Sequence, residues 1–272
     1  RMYEGPEEKP LPPPLHRIAD VGAERVLRIG LVSYDFRTHS CAYFIRPILK
    51  NVDRSLATLH CFSTCPDEDD VTSELKSYAD SWHKAAGLAP DALAKEIAKQ
   101  KIDVLVELGG YTMGTSLDAC VLRPAPLQMT AIGYPGTLGL RCITHRLVDA
   151  VTDTRESDAW FSEKLVRLHG CFLCYDPGVG FPAERKSVAS RADAPIRFGS
   201  FNATIKITQG TLDLWASVLS AVTGSTLLLK GYTLGGEVTP AYLKRELAKR
   251  GVSPERVICK GRLDSDEHHL RL

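Results

Sequence analysis

Short β-branched apolar runs alternate with segments whose apolar residues recur at helical spacing along most of this 272-residue chain. Residues 26–33 (VLRIGLVS) form the first such run and predict a buried strand. It stops at a polar loop, residues 34–39, that leads into a helix around 42–49. A strand at 56–63 and an acidic turn at 67–70 follow. Ala89-Pro90-Asp91 opens a helix through Gln100, with Leu93, Ala94, Ile97 and Ala98 on one side. Residues 102–108 read as another buried strand, ending in Gly109-Gly110, and 127–132 as a further one. Strands that alternate with helices across short loops predict a parallel sheet covered on both faces.

A second cycle begins after the polar stretch 182–195. It runs strand 196–201, helix 208–222 with Leu212, Trp215, Leu219 and Val222 at helical spacing, strand 225–230, helix 240–250 and strand 256–260. Residues 264–272 begin one more helix. The expectation is α/β architecture in two lobes, 25–190 and 191–272, the second incomplete. Residues 1–24 carry Pro6, Pro10, Pro12, Pro13 and Pro14 and read as a linker. No internal repeat is visible.

Charge narrows the function. The 34 Lys and Arg nearly balance 33 Asp and Glu, for a net charge of +1, so no basic block collects phosphates and nucleic acid is not expected as a partner. No run approaches the roughly 18 apolar residues of a membrane span. The chain starts at Arg1 without a signal-peptide pattern and reads as part of a longer soluble protein, expected in the cytoplasm or nucleus. Its eight cysteines sit mostly in apolar runs, which suits reduced buried thiols. Only Cys171 and Cys174 form C-x-x-C; no second pair follows, and the stretch through Tyr175 reads as strand, not as a zinc or redox motif.

In open α/β sheets ligands gather beyond the carboxyl ends of the strands. His39, the Gly109-Gly110-Tyr111-Thr112 turn and Lys206 all fall there. A histidine so placed serves as general base or phosphate donor, or merely caps the next helix. Lys206, next to a helix start, suits an anion, although a lone lysine is more often only solvated. Gly133-Tyr134-Pro135-Gly136-Thr137 is either a backbone approach to a ligand or a structural turn. The pairs Asp67/Asp69 and Asp264/Asp266 read as a surface turn and a helix start, not as metal ligands. Neither the dinucleotide fingerprint G-x-G-x-x-G nor a G-x-S-x-G elbow occurs, which removes support for a dehydrogenase and for a serine hydrolase.

Several stretches together resemble glycosyltransferase family 41, the protein O-GlcNAc transferases and the SPINDLY-type protein O-fucosyltransferases. They are Val32-Ser33-Tyr34-Asp35-Phe36 with His39-Ser40 and Tyr43-Phe44, Asp103 to Leu108 with Gly110-Tyr111-Thr112, and Arg123-Pro124-Ala125-Pro126-Leu127-Gln128. Gly133-Tyr134-Pro135-Gly136-Thr137, Ser162 to Leu168, and Gly199-Ser200-Phe201-Asn202 with Lys206 complete the match. The resemblance implies a GT-B fold of two Rossmann-like lobes. It also implies inverting transfer from a nucleotide-sugar to Ser or Thr hydroxyls of proteins, without a cofactor or obligatory metal. Lys206 then matches the lysine that neutralises the leaving diphosphate, and His39 the histidine close to sugar and acceptor. Thr112 and Gly133 to Thr137 match positions lining the sugar and acceptor side, and Asn202 a donor-binding position. UDP-GlcNAc is the expected donor. The stretches around His39 and Cys171 to Tyr175 lean toward the SPINDLY branch and GDP-fucose, and a non-catalytic binding fragment is the third reading. Ala203 and Thr144-His145-Arg146 depart from the family pattern. The family's Gly/Thr-rich donor-binding segment is expected beyond residue 272, and its tetratricopeptide array ahead of residue 1.

Overall fold

The computed structural model describes residues 11–16, 25–178 and 195–263. The chain divides into two compact units, Arg1–Val179 and Gly180–Leu272. The lobe boundary expected between 190 and 191 and the helix expected at 264–272, with Asp264 and Asp266, lie outside the described residues.

In the first unit the order is β1 (Leu27–Ser33), α1 (Ala42–Asn51), β2 (Ala57–Ser63), α2 (Asp70–Tyr78), β3 (Ser81–Lys84), α3 (Pro90–Lys99) and β4 (Val104–Glu107). Then come α4 (Leu117–Val121), β5 (Leu127–Thr130), β6 (His145–Asp149) and β7 (Lys164–Leu168). The sheet order is β3-β2-β1-β4-β5-β6-β7, with every pairing parallel. The chain therefore winds outward from β1 to β3, returns beside β1 at β4, and winds the other way. That return is a topological switch point, where a crevice opens between two diverging loops.

The continuous apolar runs follow from burial on both faces. Alternation along each strand sends Val32, Phe62 and Leu105 to one face, with Leu93 and Ile97 of α3. It sends Leu31, Cys61 and Val106 to the other, with Ile45 and Leu49 of α1 and Leu75 of α2.

The second unit contains β8 (Arg197–Ser200), α5 (Gln209–Ala221), β9 (Thr226–Lys230), α6 (Val238–Ala248) and β10 (Val257–Lys260). Its parallel sheet runs β10-β9-β8. Leu212, Leu219, Leu227, Leu229, Leu243, Leu247 and Val257 form its core. Thr208 caps α5: its hydroxyl accepts from the Thr211 amide, with the reciprocal bond also present.

Three expectations are corrected. Residues 171–178 form no strand. The Phe172 amide instead donates to Asp149, and the Asp176 amide donates to the Tyr43 carbonyl at 2.9 Å. Pro47, inside α1, has no N–H to take that carbonyl four residues back, so the helix leaves it for this segment. Cys171 and Cys174 are exposed free thiols, not buried ones. Finally, the described part of the N-terminal segment is docked rather than free: Leu15 N–H donates to Arg123 O, and the Arg123 guanidinium donates to Pro12 O.

Candidate active site

Three loops of the first unit meet beyond the carboxyl ends of β1, β4 and β5. The first, residues 34–41, carries His39. Asp35 is buried and His39 is 38% exposed at the side chain, with Nδ1 3.5 Å from the Asp35 carboxylate. The Cys41 amide also points at Nδ1, at 3.3 Å. The amide favours the tautomer protonated on Nε2, and Asp35 the one protonated on Nδ1. A histidine that takes a proton through Nε2 requires the second form. His39 therefore makes the local contact expected of a capping residue and keeps a carboxylate partner as well.

This loop is braced from α2, which the acidic turn at 67–70 conceals in the sequence. Asp69 is the helix N-cap and accepts from the Thr72 amide; its second oxygen accepts from the Thr38 amide at 2.7 Å. Burial works to raise the Asp69 carboxyl, but the amides and hydroxyls of Thr38 and Thr72 outweigh it and hold the group at about 2. Thr72 also donates to the Phe36 carbonyl.

The second loop follows β4. Glu107, 1% exposed, accepts from the Gly109 and Gly110 amides at 3.0 and 2.7 Å and from the Ser116 hydroxyl. Burial raises its pKa; those donors pull it back only in part, and the nearby Asp35 charge pushes it further up. The Thr112 hydroxyl donates to the Gly109 carbonyl at 2.8 Å, which closes the turn.

The third loop is Gly133 to Thr137. β5 stops short of the expected 132 because Ile132 takes a positive φ of 69°, an uncommon geometry for a β-branched residue. The Gly133 amide donates to the Leu108 carbonyl, and the Tyr134 ring packs edge-on to Tyr111 at 5.6 Å. Arg146, at the start of β6 and only 3% exposed, donates from its guanidinium to the carbonyls of Tyr134 and Gly136. Glu163 accepts from the Thr137 hydroxyl and the Leu138 amide, both at 2.7 Å.

Neither Arg146 nor Glu163 was among the sequence-derived site residues. The available signal was a charge inside a segment that must enter a sheet. Arg146→Met is expected to destabilise the chain by about 2 kcal/mol, because it strips donors from two loop carbonyls, and Arg146→Lys to restore only part of that loss. Urea unfolding of the three proteins checks it; equal midpoints would show that the loop is held by other contacts.

The first unit thus brings His39, Thr112 and Gly133 to Thr137 together. Asn202 and Lys206 belong to the second unit: Asn202 follows β8 and is exposed, and Lys206 ends a 3-10 turn, Thr204–Lys206, two residues ahead of the Thr208 cap.

A doubly wound parallel sheet with loops gathered at its switch point, followed by a second, three-stranded parallel sheet wound in one direction, is an architecture found among nucleotide-binding α/β enzymes. The sequence profile of Glycosyl transferase family 41 matches residues 13–192, and the chain belongs to that family. It is 36% identical over 255 residues to a rice protein named as a probable UDP-N-acetylglucosamine–peptide N-acetylglucosaminyltransferase SPINDLY, covering 92% of this chain and 27% of that protein. It is 27% identical over 262 residues to the Arabidopsis thaliana protein of the same activity name designated SEC, covering 92% of this chain and 26% of that one. A solved structure of a mutant O-GlcNAc transferase from Thermobaculum terrenum superposes with a TM-score of 0.85 at 30% identity, over 96% of this chain and 48% of that one. The chain spans about a quarter of the length of the curated relatives it matches.

Proposed function

We propose that this chain supplies the acceptor-side lobe and the opening of the nucleotide-sugar lobe of an inverting protein O-glycosyltransferase. UDP-GlcNAc is the donor, and Ser or Thr hydroxyls of proteins are the acceptors. The observation that carries this reading is the convergence of His39, Thr112 and the Gly133–Thr137 loop at one switch point, in a member of family 41. In the reaction the acceptor oxygen attacks the anomeric carbon, the bond to the diphosphate breaks, and the hydroxyl proton departs. On this reading His39, with the Asp35 carboxylate beside its Nδ1, accepts or guides that proton. Thr112 and the glycine loop present backbone to sugar and acceptor. Lys206 and the free amides opening α5 meet the charge that grows on the leaving diphosphate. No step calls for a metal or other cofactor.

GDP-fucose is retained as a second donor on one observation. The two stretches that lean toward the SPINDLY branch pack on each other, with the Tyr175 ring 5.9 Å from both Tyr43 and Phe44. Calorimetric titration of the whole natural protein containing this chain with UDP and GDP separates the donors, and mass spectrometry of an acceptor peptide reads out transfer. Preferential UDP binding with hexosamine transfer supports the main reading; GDP with deoxyhexose supports the second; binding of neither leaves a non-catalytic module. His39→Ala is expected to lower transfer about a hundredfold at unchanged nucleotide affinity, the usual size of a lost proton-transfer group. Wild-type turnover in that variant would return His39 to a capping role.

A further inference from the structure

We propose that Asp35, His39 and Cys41 form a capture site for a thiophilic divalent cation such as zinc, placed so that occupancy withdraws His39 from chemistry. Their carboxylate, imidazole and thiol each present one ligand atom, and these atoms all lie within 4.8 Å of one another. All three come from the loop joining β1 to α1. That loop is preorganised by the Thr38 and Phe36 bonds to Asp69 and Thr72.

The donor set decides the cation. Magnesium and calcium prefer cages of oxygen, whereas one oxygen, one nitrogen and one sulfur suit zinc, with a fourth position left to water. Bonds of about 2.0–2.3 Å in a tetrahedral site put donor atoms about 3.3–3.8 Å apart. Closing from a spacing of at most 4.8 Å therefore takes a shift of no more than about 1.5 Å, which rotation of the partly exposed His39 ring can supply.

Binding exchanges a proton for a metal bond. The Cys41 sulfur loses its hydrogen to water, and the thiolate electron pair goes to the cation. Without a cation, burial and then the Asp35 charge push this thiol up to about 12, so Cys41 stays protonated and hydrogen-bonded to Asp35. With a dication present, the two anionic ligands balance it, and Asp35 changes from a group that repels the thiolate to one that shares its metal. A cation on Nδ1, the nitrogen that faces Asp35, leaves the ring proton on Nε2, so His39 has no lone pair with which to take another. That consequence for transfer rests on the role proposed for His39 above; binding itself does not.

Cobalt(II) titration of the chain, with cysteines reduced, tests the site. The expected result is a near-ultraviolet thiolate-to-cobalt charge-transfer band that saturates at one ion per chain and is bleached by zinc. It persists in Cys171→Ser/Cys174→Ser, which removes the exposed thiols. It vanishes in Cys41→Val, a near-isosteric change whose folding is checked by circular dichroism, and His39→Ala weakens binding at least about tenfold. Absence of the band, or its loss with Cys171 and Cys174 and not with Cys41, overturns the site. In the whole protein, zinc at saturating occupancy is expected to stop transfer, and a chelator to restore it. A band that depends on Cys41 combined with undiminished transfer would leave the site standing and remove His39 from the reaction.

Discussion

Replacing Lys206 with alanine is expected to lower glycosyl transfer about a thousandfold while the chain stays folded, the usual cost of removing a donor aimed at developing charge. Lys206 is exposed at the end of the Thr204–Lys206 turn, so its truncation empties no core. The turn sets it two residues ahead of the N-cap of α5. There Thr208 satisfies the Thr211 amide and leaves the first helical amides to an incoming anion. In the proposed reaction lysine and helix end act on the same diphosphate, whose charge grows as its bond to the sugar breaks. An interaction that strengthens along the reaction lowers the barrier more than it tightens the ground state, so the loss should fall on kcat and spare KM. Lys206→Arg keeps the charge on a different geometry and is expected to recover part of the rate. Steady-state kinetics and thermal unfolding of both variants decide the matter. A wild-type kcat in Lys206→Ala would remove the lysine from the mechanism, and a lowered melting temperature would mark it as structural.

The legible elements were those whose side chains are apolar on both faces. β1, β2, β4 and β9 stand out because Leu31 and Val32, Cys61 and Phe62, Leu105 and Val106, and Leu227 to Leu229 are buried in succession. α2 was hidden because it buries little beyond Thr72 and Leu75, and its first residues belong to an acidic run that looks like a surface turn. β6 and β7 carry His145, Arg146, Lys164 and Arg167, which break the apolar signal although both strands pair in register. The same contrast holds at the site. His39, Thr112 and the glycine loop were visible because ligand sites sit past strand ends and because glycine and histidine announce themselves. Glu107, Asp69, Arg146 and Glu163 hold those loops in place, but their partners are backbone groups that only the fold brings near. A carboxylate ending the apolar run of β4 and an arginine opening β6 were the signals available. Such buried charges need several hydrogen bonds to persist, so each implies a structured loop at its end of the sheet.

Gly133→Ala is expected to destabilise the first unit by about 4 kcal/mol, at the upper end of single-substitution effects, and to abolish transfer with it. A methyl group on Gly133 would lie 2.2 Å from the Leu108 carbonyl oxygen, with the Cys41 sulfur at 3.5 Å. Relief by moving residues 133–137 breaks the Gly133 amide bond to that same oxygen. Relief by moving Leu108 drags Gly109, whose amide is tied to buried Glu107. Neither route is a side-chain rotation, so strain passes into the β4 and β5 loops together. Gly139→Ala isolates the alternative cause. Its φ of 65° disfavours a side chain, yet nothing lies within 4 Å of the added methyl, so only the left-handed cost of about 1–2 kcal/mol is expected. Chemical denaturation of the two variants beside the parent gives the comparison. A clear excess for Gly133→Ala assigns that glycine to close backbone approach between the β4 and β5 loops. Equal costs would mean that the contact relaxes freely and that the β4 and β5 loops are not held rigidly against each other.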